Sequence, residues 1–183
     1  MLLLCAMTLA AAPAQKNFPV NVRMEVAEAE TTNGDYSIFT YKDSADDDSF
    51  GYYLSLGRTA ALLGADEILG MVVQNVHEVA IRLGGTTSEA LAAIDNIISL
   101  FDGDTGTTSQ MVGRATTDGQ RLGEQIEVTC TVEKKPLFGK RLRFQFAEGK
   151  KQAHVFLTKP MLRTLRSNLK IDIKLNPKHH RKQ

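Results

Sequence analysis

Apolar and polar residues alternate along several short segments of this chain, and this two-residue period most constrains its fold. The pattern is clear in Val20–Val26, Phe50–Leu56 and Gln125–Glu133. Because successive side chains of a strand point to opposite faces, each segment predicts a strand with one buried and one wet face. Another strand is predicted at Tyr36–Tyr41, after the turn signal Asn33-Gly34. The first three strands are therefore expected to form an antiparallel meander.

The C-terminal part of the chain carries further strand signals. We predict strands at Met111–Ala115, Lys140–Phe146 and Ala153–Leu157, and the second of these should form a hairpin with Gln125–Glu133. The β-branched residues of Ile171–Leu175 predict a short final strand. Antiparallel strands thus dominate this part of the chain as well.

One helix is well marked and one segment is ambiguous. Thr86 and Glu89 form a capping-box signature, and an apolar stripe follows them as far as Asp102-Gly103. Gly64–Leu83 fits both a helical stripe and an alternation, and its β-branched residues favour a strand over its second half.

A second helix is predicted after Thr158, which would be its N-cap. Pro160 suits the first turn of this helix, and its buried side would consist of Leu162, Leu165 and Leu169. No internal repeat and no change of composition divides the chain. We therefore predict an α+β fold with a single domain, built mainly on antiparallel sheet with about two helices.

The N-terminal segment has the pattern of a cleavable signal peptide. The apolar run Leu2–Ala11 is shorter than the roughly 20 residues that span a bilayer, and Ala12-Pro13-Ala14 places small residues before Gln15. No Lys or Arg precedes the run, and a buried N-terminal helix is the alternative. We predict a cleaved signal peptide over residues 1–14 and a single α+β domain with a short basic C-terminal tail over 15–183. The mature chain would be exported to the periplasm or another extracytoplasmic location.

Cys130 is the one cysteine that would remain after cleavage, so no intramolecular disulfide is expected. It alternates with Ile126, Val128 and Val132 on the apolar side of its strand. A cysteine in an apolar row is usually a small core residue, whereas a nucleophilic thiolate requires an electropositive and partly exposed setting. The pattern favours the core interpretation.

Charge is divided unevenly along the chain. Residues 15–119 contain six Lys or Arg and sixteen Asp or Glu, whereas residues 120–183 contain sixteen and five. The C-terminal third therefore predicts a basic binding face that attracts an acidic protein or an anionic envelope component such as lipid headgroups. Its candidate residues are Arg141, Arg143, Arg163, Arg166 and Lys170. The alternative is that the two halves simply compensate each other as solvated surface. Nucleic acid is not expected as a partner, because no binding motif accompanies the charge.

No metal or cofactor is predicted. The acidic segments Asp43–Ser49 and Asp102–Gly106 offer oxygen ligands but lack the spacing of an EF-hand. Gly84-Gly85-Thr86 precedes a helix but lacks a phosphate-binding fingerprint, so plain helix capping is the better interpretation.

The four histidines do not form a catalytic motif. His77-Glu78 lacks the second histidine of a metalloprotease helix, His154 lies alone in a strand, and His179 and His180 belong to a basic tail that we expect to be mobile. Two hypotheses follow. The favoured one is a non-catalytic binding or interaction module of the cell envelope. The alternative is an envelope enzyme, hydrolase-like, with an unrecognised active site around His154 or His77.

Overall fold

In the computed structural model, residues 22–31, 34–42, 50–56, 78–117, 121–136, 139–148 and 151–180 are described. They form a single α+β domain in which a curled antiparallel sheet predominates, as the alternation predicts. The predictions for residues 1–14, the acidic segment 43–49, residues 64–77 and His77 lie outside this part of the chain.

The sheet contains eight strands in chain order, each antiparallel to the next. The strands are β1 (Val22–Thr31), β2 (Gly34–Lys42), β3 (Gly51–Ser55), β4 (Glu78–Gly84), β5 (Thr108–Thr117), β6 (Arg121–Lys135), β7 (Gly139–Glu148) and β8 (Lys151–Thr158). The helices are α1 (Thr87–Ser99) and α2 (Lys159–Leu175), with single 3-10 turns at Leu100–Asp102 and Pro177–His179. Strand β4 confirms the strand predicted for the second half of the ambiguous segment.

The two helices cover one face of the sheet, which we call the inner face. Every strand contributes apolar side chains to it, including Ala29, Ile38, Leu54, Ile81, Met111, Val128, Phe144 and Val155. From the helices, the core receives Ala90, Ile94, Ile97, Leu162, Leu165 and Leu169. Burying a leucine side chain fully stabilises the fold by roughly 1.5–3 kcal/mol, so the leucines of α2 fix this helix firmly to the sheet.

A β-bulge in β1 changes which residues face the core. The register to β2 shifts between Glu25 and Ala27, so Met24 and Ala27 both lie on the inner face although they are three residues apart. A strict alternation cannot predict this change, because a bulge inserts one residue and reverses the parity of the strand after it.

Strands β1 and β8 are the edges of the sheet, and α2 lies beside β1. The Asn168 side chain donates from Nδ2 to the Glu28 carbonyl at 2.8 Å, which satisfies an edge acceptor of β1. The Tyr36 hydroxyl of β2 donates to the Phe156 carbonyl of β8 at 3.3 Å. The curl of the sheet therefore brings its first strands close to the opposite edge strand, β8. Side-chain bonds of this kind protect edges that would otherwise pair with other strands.

The prediction of a final strand at Ile171–Leu175 is wrong, because α2 continues to Leu175. Ile173 follows Leu165 and Leu169 at helical spacing and packs against the same core, which favours helix over the local β-propensity. Thr158 occupies the predicted N-cap position of α2 with Pro160 in the first turn, but its side chain makes no capping hydrogen bond.

Candidate functional site

Strands β6 and β7 and the start of α2 place many cations at one end of the sheet. The register sets Lys134 opposite Lys140, and Arg141 opposite Thr158 at the junction with α2. We call this surface the basic end, and its residues are Lys134, Lys135, Lys140, Arg141, Arg143, Lys159 and Arg163. It combines three of the predicted binding residues with four lysines that the sequence analysis did not select.

The turn after α1 lies within the basic end and holds two of its lysines. Lys140 Nζ donates to the carbonyls of Phe101 at 3.0 Å and Gly103 at 2.8 Å. Lys159 Nζ donates to Asp102 Oδ1 at 2.9 Å. This bond and the charge of Lys159, with smaller contributions from Lys140 and Arg163, lower the pKa of the Asp102 carboxyl. The carboxylate that the sequence offered as a metal ligand is thus surrounded by cations.

Arg141 and Arg143 lie on the outer face of β7 and share one carboxylate. Arg141 donates to Glu133 Oε2 from Nε at 3.0 Å and from Nη2 at 2.7 Å, while Arg143 Nε lies 3.2 Å from Glu133 Oε1. The Arg141 guanidinium also stacks 3.4 Å above the centre of the Phe156 ring. Because two guanidiniums share a single carboxylate, this part of the surface stays positive.

The other two predicted binding residues lie farther along α2. Arg166 pairs with Asp95 of α1, with Nη2 2.7 Å from Oδ2 and Nε 2.5 Å from Oδ1. The hydrogen bond to Asp95 raises the pKa of Arg166 despite partial desolvation. Lys170 is exposed seven residues after Arg163, which corresponds to about 10 Å along a helix axis. Arg166 therefore joins the two helices, and Lys170 extends the positive surface away from the basic end.

The expectation that His180 is mobile is wrong. Its ring stacks on Tyr52 of β3 with centroids 5.9 Å apart, and its Nδ1 lies 2.9 Å from the Tyr52 hydroxyl. Its Nε2 lies 2.9 Å from Asp172 Oδ2, and Asn176 Nδ2 donates to the other oxygen of this carboxylate at 2.5 Å. Tyr52 is separated from His180 by 128 positions, so no local pattern in the sequence predicts the contact.

The Tyr52–His180–Asp172 chain of hydrogen bonds contains groups that can move protons. Tyr52 at one end of the chain is 0% exposed and His180 in its middle is 8% exposed, whereas the Asp172 side chain at the other end is 19% exposed. The arrangement fastens the Pro177–His179 turn to the sheet.

The remaining candidate groups lie on β8, in the core and at the start of α1. His154 is exposed on the outer face of β8, with its ring 5.1 Å from that of Phe156. Cys130 is 1% exposed, and burial raises the pKa of its thiol to about 12, which confirms its prediction as a core residue. Glu89 accepts from the backbone amides of Gly85 at 2.6 Å and Thr86 at 3.3 Å, so this helix start is capped as predicted.

Few further indications of function accompany this geometry in the described part of the chain. The described residues contain no group of three or more His, Cys, Asp or Glu side chains arranged to hold a metal. Neither of their helices is long and apolar enough to cross a membrane. No protein family, curated protein or solved structure matches the chain. The surfaces themselves are therefore the main indication of function.

Proposed function

We propose that this chain is a non-catalytic binding module of the cell envelope, exported by its N-terminal segment, whose basic end binds an acidic surface of a partner protein. The observation that carries the proposal is the gathering of cations from β6, β7 and α2 around two carboxylates, those of Asp102 and Glu133. These carboxylates are too few to neutralise the cations.

Some cations of the basic end are fixed by contacts within the chain, and others are exposed to solvent. Lys140 is held by backbone carbonyls, and Arg141 is held by Glu133 and the Phe156 ring. Arg163 and Lys135 are exposed and can contact a ligand directly. A cation held on a rigid element loses little conformational freedom on binding, and arginine suits the planar carboxylates of an acidic protein.

The charge of the whole chain also supports this proposal. The basic residues are concentrated in the C-terminal third of the sequence, so the net charge of +1 hides an excess of cations in that part of the chain. The positive field of exposed cations accelerates encounter with an acidic partner and weakens as salt screens it.

The proposal can be tested with poly-L-glutamate as an acidic probe. We expect a fluorescence anisotropy titration at low salt to show binding, and the double variant K135E/R163E to raise the Kd about tenfold by reversing two exposed charges. Variant R82E is the matched control, because Arg82 is an exposed cation on β4, outside the basic end. Thermal unfolding should be similar in all three proteins.

Two results would contradict the proposal. One is a failure of the folded chain to bind the polymer at low salt. The other is an equal loss of affinity per reversed charge in K135E/R163E and R82E, which would mean that net charge alone and not the basic end attracts the polymer.

A further inference from the structure

The C-terminal half of α2 and the edge strand β1 enclose an open groove. Its volume is about 310 Å³, and its lining consists of Glu25, Val26, Ala27 and Glu28 from β1 and Asn168, Ile171, Asp172 and Leu175 from α2. The groove is separate from the basic end, which lies at the start of α2.

Two large apolar side chains are exposed beside this groove. Ile171 is 51% exposed and Leu175 is 72% exposed, and they lie one helical turn apart on the side of α2 that faces β1. The other exposed large apolar residue in the described part of the chain is Val112, which stands on the outer face of β5. A pair of exposed apolar residues lining a groove is typical of a protein interface.

The charged side chains that line the groove are all acidic. They are the exposed Glu25 and Glu28 of β1 and the half-buried Asp172 of α2, whereas the exposed Lys170 and Lys174 of α2 lie outside the lining. An occupant of the groove must therefore carry apolar side chains together with cations that face β1. The α2 helix of a second copy carries both, because its Ile171 and Leu175 adjoin its Lys170 and Lys174.

We propose that this groove is the interface of a symmetric homodimer, in which α2 of each copy lies in the groove of the other. Around a two-fold axis, the exposed apolar pairs of the two copies meet, and Lys174 of each copy faces Glu28 of the other. The net charge of +1 allows two copies to approach without strong repulsion. This inference does not depend on the proposed binding of an acidic partner at the basic end.

Sedimentation velocity of the mature chain, residues 15–183, over a range of concentrations tests the dimer without association through the apolar run Leu2–Ala11. We expect the wild type to associate, and the variant I171E/L175E to raise the dimer Kd tenfold or more, because it buries charge at the centre of the interface. V112E is the control for each of the two substitutions, since it places a single glutamate at an exposed apolar residue on the outer face. It should leave the Kd unchanged.

A charge exchange tests the contact between Glu28 and Lys174 and does not depend on the apolar substitutions. E28K and K174E should each weaken self-association, because like charges then face each other twice across the interface. An equimolar mixture of the two variants should form a heterodimer near the wild-type Kd, since opposite charges meet at both contacts. No contact within one chain can reproduce this recovery.

Three results would overturn the inference. The first is a folded chain that stays monomeric up to about 0.1 mM, where even a weak specific interface is populated. The second is a dimer that I171E/L175E leaves intact, and the third is a mixture of E28K and K174E that remains monomeric.

Discussion

An ion pair between Arg23 and Glu78 is buried on the outer face of the sheet. Arg23 Nη1 lies 2.6 Å from Glu78 Oε2 and Nη2 lies 2.9 Å from Oε1, while their side chains are 15% and 2% exposed. The guanidinium lies 3.8 Å above the centre of the Phe39 ring and also pairs with Glu25. Burial acts to lower the pKa of Arg23, but Glu78 and then Glu25 outweigh it and leave this pKa raised.

This burial leads to a prediction at the scale of single residues. Variant E78Q should lower the free energy of unfolding by about 3 kcal/mol, because it leaves the Arg23 charge buried without its main partner. Variant E25Q should lower it by less than about 1 kcal/mol, since the Glu25 side chain is 35% exposed. Urea unfolding measures both values. Equal losses of unfolding free energy in the two variants would show that burial of Glu78 does not increase the contribution of the Arg23–Glu78 pair to stability.

At the scale of elements, the C-terminal segment shows how a side-chain network fixes a turn. The 3-10 turn at Pro177–His179 follows α2 and has no buried residue of its own. It is held instead by its neighbour His180, which reaches Tyr52 in β3 and Asp172 in α2. Lys178 and His179 of the turn are therefore held next to a segment that is attached to the sheet.

A double-mutant cycle tests this attachment. Y52F should lower the free energy of unfolding by about 1 kcal/mol through the lost hydrogen bond, and H180A by about 2 kcal/mol through the lost stacking and two lost bonds. In the double variant the losses should not add, because the residues act on each other. H179A is the control, since His179 is exposed. If Y52F and H180A prove additive, their contact contributes nothing to stability.

The strands were predictable from the sequence because alternation reports a local property, the wetting of one sheet face. The capping box of Thr86 and Glu89 is equally local, and it correctly marked the start of α1. Ile171–Leu175 misled the prediction because β-branched residues favour strand locally, whereas the contact of Ile173 with the core decides for helix. The environment of His180 could not be predicted, since both α2 and β3 must be in place before its pocket exists.

The candidate site was only partly predictable, for the same physical reason. Charge counting selected Arg141 and Arg143, which share Glu133, and Arg163 near Asp102, but also Arg166, whose partner Asp95 lies 71 positions away in another helix. The lysines of the basic end were missed, because the turn at Phe101–Gly103 that gathers Lys140 and Lys159 is distant in sequence from both. Charge pairs between residues that are distant in sequence depend on how the helices and strands pack, so they cannot be predicted from composition.

For the whole molecule, the two oppositely charged halves of the sequence are partly joined by the fold. The pairs Arg166–Asp95 and Lys159–Asp102 connect the basic C-terminal third to the acidic part of the chain. Compensation of charge, which the sequence offered as an alternative to a binding face, thus accounts for some of the basic residues. Several other cations stay exposed, among them Lys135 and Arg163 at the basic end, and the basic end is the surface to which we assign binding of an acidic partner.

The most direct test of the binding role is photo-crosslinking in cells that express the chain. A photoreactive amino acid replaces Arg163 at the basic end or, as the control, Arg82 on β4. We expect position 163 to give an adduct with an acidic protein, identified by mass spectrometry, and position 82 to give none. Equal adducts at both positions, or no adduct at position 163 in a chain that is folded and exported, would contradict the assignment of the basic end as a binding surface.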